Sequence, residues 1–288
     1  MEAATPHPDV QQAASPSLWW DGLERDAAEP PLETDTTADI AIIGGGYTGL
    51  WTAYFLKQIQ PDLDVVLVEA KHIGHGASGR NGGWLMGALE GCDAFTDDSG
   101  TLPTAARQQL TQLVSRAGEI LVKEGIDCDF HHGGCIMAAA RHNVQIARAR
   151  KFLAGFHGLG FDEDDYRWLT PTELSHRIQV ANPGGAVFTP HVARIQPAKL
   201  VTGLARVVKS LGVRVFEHTR AHGIHSGVIH CDRGSIQAGQ IVVATEGYSE
   251  AGNPLHRRLI SVQTGMVATE PLSDMQWSGL GFANNETF

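Results

Sequence analysis

The chain has only four cysteines, Cys92, Cys128, Cys135 and Cys231, and no two of them are spaced C-x-x-C. That spacing suits neither a zinc site nor a disulfide framework, so they read as reduced, mostly buried thiols. Basic residues are also scarce. Lys and Arg number 22 against 32 Asp and Glu, a formal net charge of −10. Phosphate backbones need basic patches, so nucleic acid is excluded as a main partner. The N-terminus shows no basic region followed by an apolar core, so no secretion signal is read there. With the thiols, this predicts a cytoplasmic protein. A membrane-length apolar run is lacking too. The stretch IAIIGGGYTGLWTAYFL, residues 40–56, is uncharged, but four glycines cut it and no Lys/Arg cluster flanks it. A spanning helix needs about 20 apolar residues and anchored ends, so no membrane span is expected. Histidine is plentiful at 14, without a metal-site pattern. His131 and His132 are adjacent and would face opposite sides of a strand. His222 and His225 fall in a turn-rich stretch with no carboxylate pattern to partner them, so no metal is expected.

What the chain has is glycine, 33 residues, with no collagen-like period. The sharpest cluster explains the uncharged stretch. Residues 38–43, ADIAII, form a β-branched run suited to a buried parallel strand. Gly44, Gly46 and Gly49 then complete G-x-G-x-x-G, and an apolar helix runs from Leu50 to before Pro61. A second buried strand, DVVLVE, ends in Glu69, 20 residues after Gly49. Strand, turn, helix, strand and acid together give the context of a dinucleotide fingerprint. Gly44 permits the tight turn, Gly46 the close approach of a pyrophosphate, and Gly49 the packing of helix on strand. The helix N-terminus presents amides to the phosphates, and Glu69 can accept hydrogen bonds from a ribose.

Two further stretches extend this reading. Residues 73–84, IGHGASGRNGGW, form a loop able to lay amides along an extended ligand. Residues 239–248, GQIVVATEGY, contain another buried parallel strand that ends at Thr245, at the ligand-bearing edge of a sheet. Between them Pro197 starts a helix, Gly212 caps it, and VRVFE forms a strand. The sheet thus resumes after an insertion of about residues 91 to 190. Within that insertion, 105–125 and 144–160 read as scaffold helices. Residues 1–38 read as an irregular arm, anchored by the two tryptophans of SLWWDGL.

These residues resemble the FAD-dependent D-amino-acid oxidase and glycine oxidase superfamily, within it the gamma-glutamylputrescine oxidoreductase type. SLWWDGL, ADIAIIGGGYTGLWTAYFLK, VVLVEA, GHGASGRNGGW, DCDFHHGG, RIQPAKLVTGLA, VVATEGY and VATEPL carry the likeness. GASGRNGGW and ATEPL, in this order, are its specific parts. The resemblance implies an α/β fold, α+β overall. A Rossmann-like FAD-binding domain would span residues 39–90 and 191–250. A mainly antiparallel substrate domain would span 91–190 and 251–288. Family members continue beyond ATEPL, so the resemblance also implies that the chain is C-terminally truncated and its substrate domain incomplete.

As implied roles, Gly44, Gly46 and Gly49 would hold the FAD pyrophosphate, and Glu69 the adenosine ribose with Ala70 beside it. Ala77, Ser78, Gly79, Arg80, Asn81, Gly82 and Gly83 would run toward the isoalloxazine ring. The Ala221 backbone would meet adenine, and Ala244 and Thr245 would sit under the cofactor. Many relatives have glycine after Ala-Thr, where this chain has Glu246. The implied activity is oxidation of the carbon–nitrogen bond of a small-molecule amine or amino acid, by hydride transfer to the flavin. Oxygen or another acceptor would take the electrons. Arg257 and Arg258 precede an expected strand, ISVQTGMVATEPL, and could face a substrate carboxylate, though ordinary surface charge explains them as well. His191 and Arg194 flank the return to the FAD domain, and ordinary surface charge explains them equally well. No catalytic acid or base is assigned. The alternatives are an NAD-linked dehydrogenase, which leaves GASGRNGGW without a role, and a non-catalytic remnant.

Overall fold

The computed structural model describes residues 17–88, 91–248, 262, 264–282 and 284–288. In chain order the elements are β1 (Thr36–Ile43), α1 (Tyr47–Ile59), β2 (Val65–Val68), β3 (Trp84–Met86), α2 (Thr104–Lys123), β4 (Cys135–Ala138), α3 (Asn143–Gly158), β5 (Arg167–Leu169) and α4 (Pro171–Ser175). They continue with β6 (Ala186–Thr189), β7 (Val192–Arg194), α5 (Pro197–Ser210), β8 (Arg214–Phe216), β9 (Ala221–His225), β10 (Val228–Cys231), β11 (Ser235–Val243) and α6 (Asp274–Leu280). The chain divides into two compact units. One draws on the described residues of Met1–Arg80 and Pro197–Thr264, the other on those of Asn81–Gln196 and Gly265–Phe288. The division falls at Arg80/Asn81, Gln196/Pro197 and Thr264/Gly265.

The first unit is built on a six-stranded sheet in the order β8-β2-β1-β11-β10-β9. β8, β2, β1 and β11 run parallel, and β10 and β9 add an antiparallel meander. Every residue of β2 is buried, as a strand covered on both faces requires. α1 covers the sheet with Leu50, Ala53 and Tyr54. α5 buries Leu200, Val201, Leu204, Val207 and Val208. Each buried Leu or Val here contributes about 1.5–3 kcal/mol. The opposite layer joins Leu32 of the arm to Ala41, Val66, Val68, Ile229 and Ile236.

α1 starts at Tyr47, three residues before the expected Leu50, because Gly46 is its N-cap and Gly49 lies within its first turn. Gly212 ends α5 as expected, at φ +85° with its amide on Lys209 O. Trp20 confirms the anchor reading of SLWWDGL. Its ring meets the His72 ring edge-on at 5.6 Å, under Arg25.

The second unit is antiparallel in its ladders. Sheet β4-β6-β5 is flanked by the pair β3-β7. Its apolar clusters unite Leu102, Leu153, Phe161, Tyr166 and Val187, and separately Ile136, Leu169, Leu174, Ile178 and Ala186. The strand expected over ISVQTGMVATEPL is not present in the described part. Residues 264–272 pair with no strand and are mostly exposed, Val267 at 97%. With no ladder partner, their amides have no reason to adopt a strand. Arg257 and Arg258 lie outside the described residues.

Candidate cofactor site

The glycine turn sits at the carboxyl ends of β1 and β2, closed by hydrogen bonds to neighbouring strands. Gly44 N donates to Val68 O at 2.8 Å, and Ala244 N donates to Ile43 O at 2.8 Å. Gly44 stands at φ +115°, and a Cβ there would lie 2.3 Å from Ala244 O. A Cβ on Gly49 would lie 2.0 Å from Gly44 O. Both positions therefore admit only glycine. Gly46 has an ordinary φ of −91°, but its Cβ would press on Ser78 Oγ at 2.8 Å. Ser78 Oγ in turn accepts from Tyr47 N, the first amide of α1, at 2.9 Å.

Glu69 follows β2. Its Oε2 accepts from Gly45 N at 2.8 Å and its Oε1 from Lys71 N at 2.9 Å. The carboxylate thus braces the glycine turn. Burial pushes the Glu69 carboxyl up, opposed by the two amides and by His72, and Glu217 adds to the rise. Ala70 lies in the bend between Glu69 and Lys71, whose carbonyls accept from Thr219 N and His218 N. Ala221 begins β9 two residues beyond Thr219, so this stretch brings Ala221 toward Glu69.

The loop after Lys71 rests on the turn, with Gly74 N on Gly45 O at 3.0 Å. Ala77–Gly79 form one 3-10 turn, followed by Arg80 N donating to Ala77 O. The loop's glycines also have a packing role the sequence did not disclose. A Cβ on Gly79 would lie 2.7 Å from Trp20, and one on Gly76 3.3 Å from Tyr248. Ala244 and Thr245 follow β11, and Thr245 O accepts from Tyr248 N at 2.9 Å. Glu246 takes a left-handed φ of +51°.

The first unit thus brings together Gly44, Gly46, Gly49, Glu69, Ala70, Ala77, Ser78, Gly79, Arg80, Ala221, Ala244 and Thr245. Asn81, Gly82 and Gly83 belong to the second. There Asn81 Oδ1 accepts from Gly83 N at 2.9 Å, and Gly83 O from Ile195 N at 2.8 Å.

The family model described as FAD dependent oxidoreductase matches residues 39–287. The chain belongs to this family. Gamma-glutamylputrescine oxidoreductase of Escherichia coli (strain K12) is 28% identical over 252 residues, 84% of this chain and 57% of that protein. Glycine oxidase of Bacillus licheniformis is 28% identical over 219 residues, 74% of this chain and 55% of that protein. The chain therefore spans little more than half the length of these curated relatives. Among solved structures, glycine oxidase from Geobacillus kaustophilus superposes with a TM-score of 0.60 at 24% identity, over 77% of this chain and 58% of that one. That likeness concerns the fold.

Within this FAD-dependent oxidoreductase fold, two residues of the site had escaped the sequence reading. Glu217 closes β8 as Glu69 closes β2, and its carboxylate accepts from Ile73 N at 2.6 Å and Glu29 N at 2.7 Å. VRVFE repeats the form of VVLVE, so a signal existed. Tyr248 gave none, because its partner Arg80 is remote in sequence. His222 needs a correction as well. It lies in strand β9, not in a turn, and its Nε2 is 2.6 Å from Asp232 Oδ1 across the hairpin. The spacing hid this carboxylate because the partner comes from β10's far end. Among the described residues no group of His, Cys, Asp and Glu could hold a metal ion, and no helix is long and apolar enough to cross a membrane. His191, too, has a carboxylate partner, Asp165 Oδ1 at 2.8 Å, within the second unit.

The loop carries a titratable pair, His75 Nδ1 lying 3.2 Å from His72 Nε2. Burial first, then the charges of His72, Arg80, Lys71 and Arg25, hold His75 down at about 4. Its folded pKa is below the unfolded value near 6.5, so the unfolded chain binds more protons between the two. Stability is then fully present above about pH 6.5 and is lost as pH falls toward 4. Glu69, pushed up, acts in the opposite sense. The thermal midpoint of His75→Asn is therefore expected to fall less than that of the parent chain between pH 6.5 and 4. Parallel profiles would contradict the assignment.

Proposed function

We propose that this chain binds FAD in its first unit and serves an oxidoreductase acting on the carbon–nitrogen bond of an amine or amino acid. The observation that carries the reading is the glycine turn braced by Glu69 at the carboxyl edge of a parallel sheet. Ligands of open α/β sheets bind at that edge. The residues present suit the cofactor. α1 has no acidic residue in its first turn, and its leading amides lack intrahelical partners. Lys71, Arg80 and Arg25 lie close enough to act together on His75 as a cationic group, which suits a diphosphate. A carboxylate offers about four lone-pair sites. Glu69 uses one on each oxygen for Gly45 and Lys71, so both oxygens can still accept ribose hydroxyls.

In this reading Gly44, Gly46, Gly49 and Ser78 hold the diphosphate. Glu69 and Ala70 hold the ribose, the Ala221 backbone meets adenine, and Ala244 and Thr245 lie beneath. Residues 77–83 continue toward the flavin ring. When bound, FAD supplies the redox chemistry, accepting a hydride from the carbon beside the substrate nitrogen and passing electrons to oxygen or another acceptor. The family and the names of its relatives support a small-molecule amine or amino acid as substrate. The free thiols support a cytoplasmic location.

The test is the visible absorbance spectrum of the purified protein, followed by denaturation and identification of what is released. Released FAD is expected. A colourless protein that takes up no added FAD would overturn the cofactor assignment for this chain.

A further inference from the structure

We infer that Tyr248 is a cofactor-positioning residue, whose hydroxyl and ring hold Arg80 and the glycine loop in the pose that receives the diphosphate. The inference rests on the FAD reading above. Arg80 Nη2 donates to Tyr248 Oη at 3.1 Å, and Arg80 Nε donates to Gly76 O at 3.2 Å. One guanidinium is thus pinned from two sides, by its own loop and by the turn after β11. The Tyr248 ring also covers Gly76, where a Cβ would come within 3.3 Å of Cε2.

Tyr248 is held in its turn. Its amide donates to Thr245 O, and Gly247 N donates to Glu246 Oε2 at 2.6 Å. Glu246 takes its left-handed conformation at a cost to a side chain with a Cβ. A strained turn therefore delivers an aromatic residue onto the cofactor loop. Tyr248 is 45% exposed, so its hydrogen bond competes with water and adds little to folding. What the contact supplies is orientation. Arginine recognises phosphate through a planar fork, and a fork fixed beforehand loses less freedom on binding.

The experiment measures FAD affinity by fluorescence titration for the parent chain, Tyr248→Phe, Arg80→Ala and the double variant, with thermal midpoints of the cofactor-free proteins. Tyr248→Phe keeps the ring and removes the hydroxyl. It is expected to raise Kd about fivefold with an unchanged midpoint. Arg80→Ala is expected to raise Kd further. The double variant should bind no worse than Arg80→Ala, because Tyr248 acts through Arg80. Equal affinity of Tyr248→Phe and the parent chain overturns the inference, as do fully additive losses in the double variant. A parent chain that takes up no FAD overturns the cofactor reading and this inference together. A parent chain that binds FAD while Tyr248→Phe binds equally overturns this inference alone.

Discussion

Replacing Gly44 by alanine is expected to lower stability by about 2–5 kcal/mol and to abolish FAD uptake. Two costs combine. A φ of +115° is open to glycine and closed to residues with a Cβ, at roughly 1–2 kcal/mol. The new methyl would also lie 2.3 Å from Ala244 O and 2.9 Å from Ala244 C. Overpacking of this kind costs about 1–3 kcal/mol, occasionally more. The backbone at Ala244 cannot retreat cheaply, because its amide is bound to Ile43 O. Gly223→Ala is the control. Gly223 also lies in the sheet, at β9, but a Cβ there meets nothing within 4 Å, and its φ is not in the left-handed region. Its unfolding midpoint should move little. Chemical denaturation followed by tryptophan fluorescence gives both numbers, and equal midpoints for the two variants would contradict the tight turn.

The second large effect is expected at Glu69. Glu69→Ala removes the acceptor for Gly45 N and Lys71 N, and a buried donor left without a partner costs about 1–3 kcal/mol. The same change removes the proposed ribose contact, worth roughly 1.5–3 kcal/mol, or about 10- to 100-fold in affinity. Glu69→Gln separates the two roles. It keeps one carbonyl acceptor for the turn while losing charge and one acceptor oxygen. The expected order of FAD affinity is parent, Gln, Ala, with the largest fall in thermal midpoint for Ala. Calorimetric titration and a thermal scan on each variant read both. An alanine variant that binds FAD as tightly as the parent refutes the ribose assignment.

Gly44, Gly46, Gly49 and Glu69 were legible because their signals are local. β1, the turn, α1 and β2 occupy residues 36–68 in unbroken order. Each element there obeys short-range rules: β-branched residues in buried strands, glycine where φ is positive, and a turn before a helix N-terminus. The start of α1 was less legible, since Gly46 serves as N-cap without a capping side chain to advertise it. The loop of residues 73–84 reads as amides for a ligand. Its glycines also accommodate Trp20 and Tyr248, which no spacing within the loop could reveal.

The sequence by itself determined the parallel-strand framework and the glycine turn, because each depends on residues close along the chain. The tertiary structure decided which groups support that turn. Glu217 reaches Ile73 across 144 positions, and Tyr248 reaches Arg80 across 168. It also decided that His222 has a carboxylate partner, which only the β9–β10 hairpin could bring near. The physical reason is the sheet order. β8 and β11 flank the β2-β1 pair from opposite sides, so residues from the far end of the chain close around a turn made near its beginning.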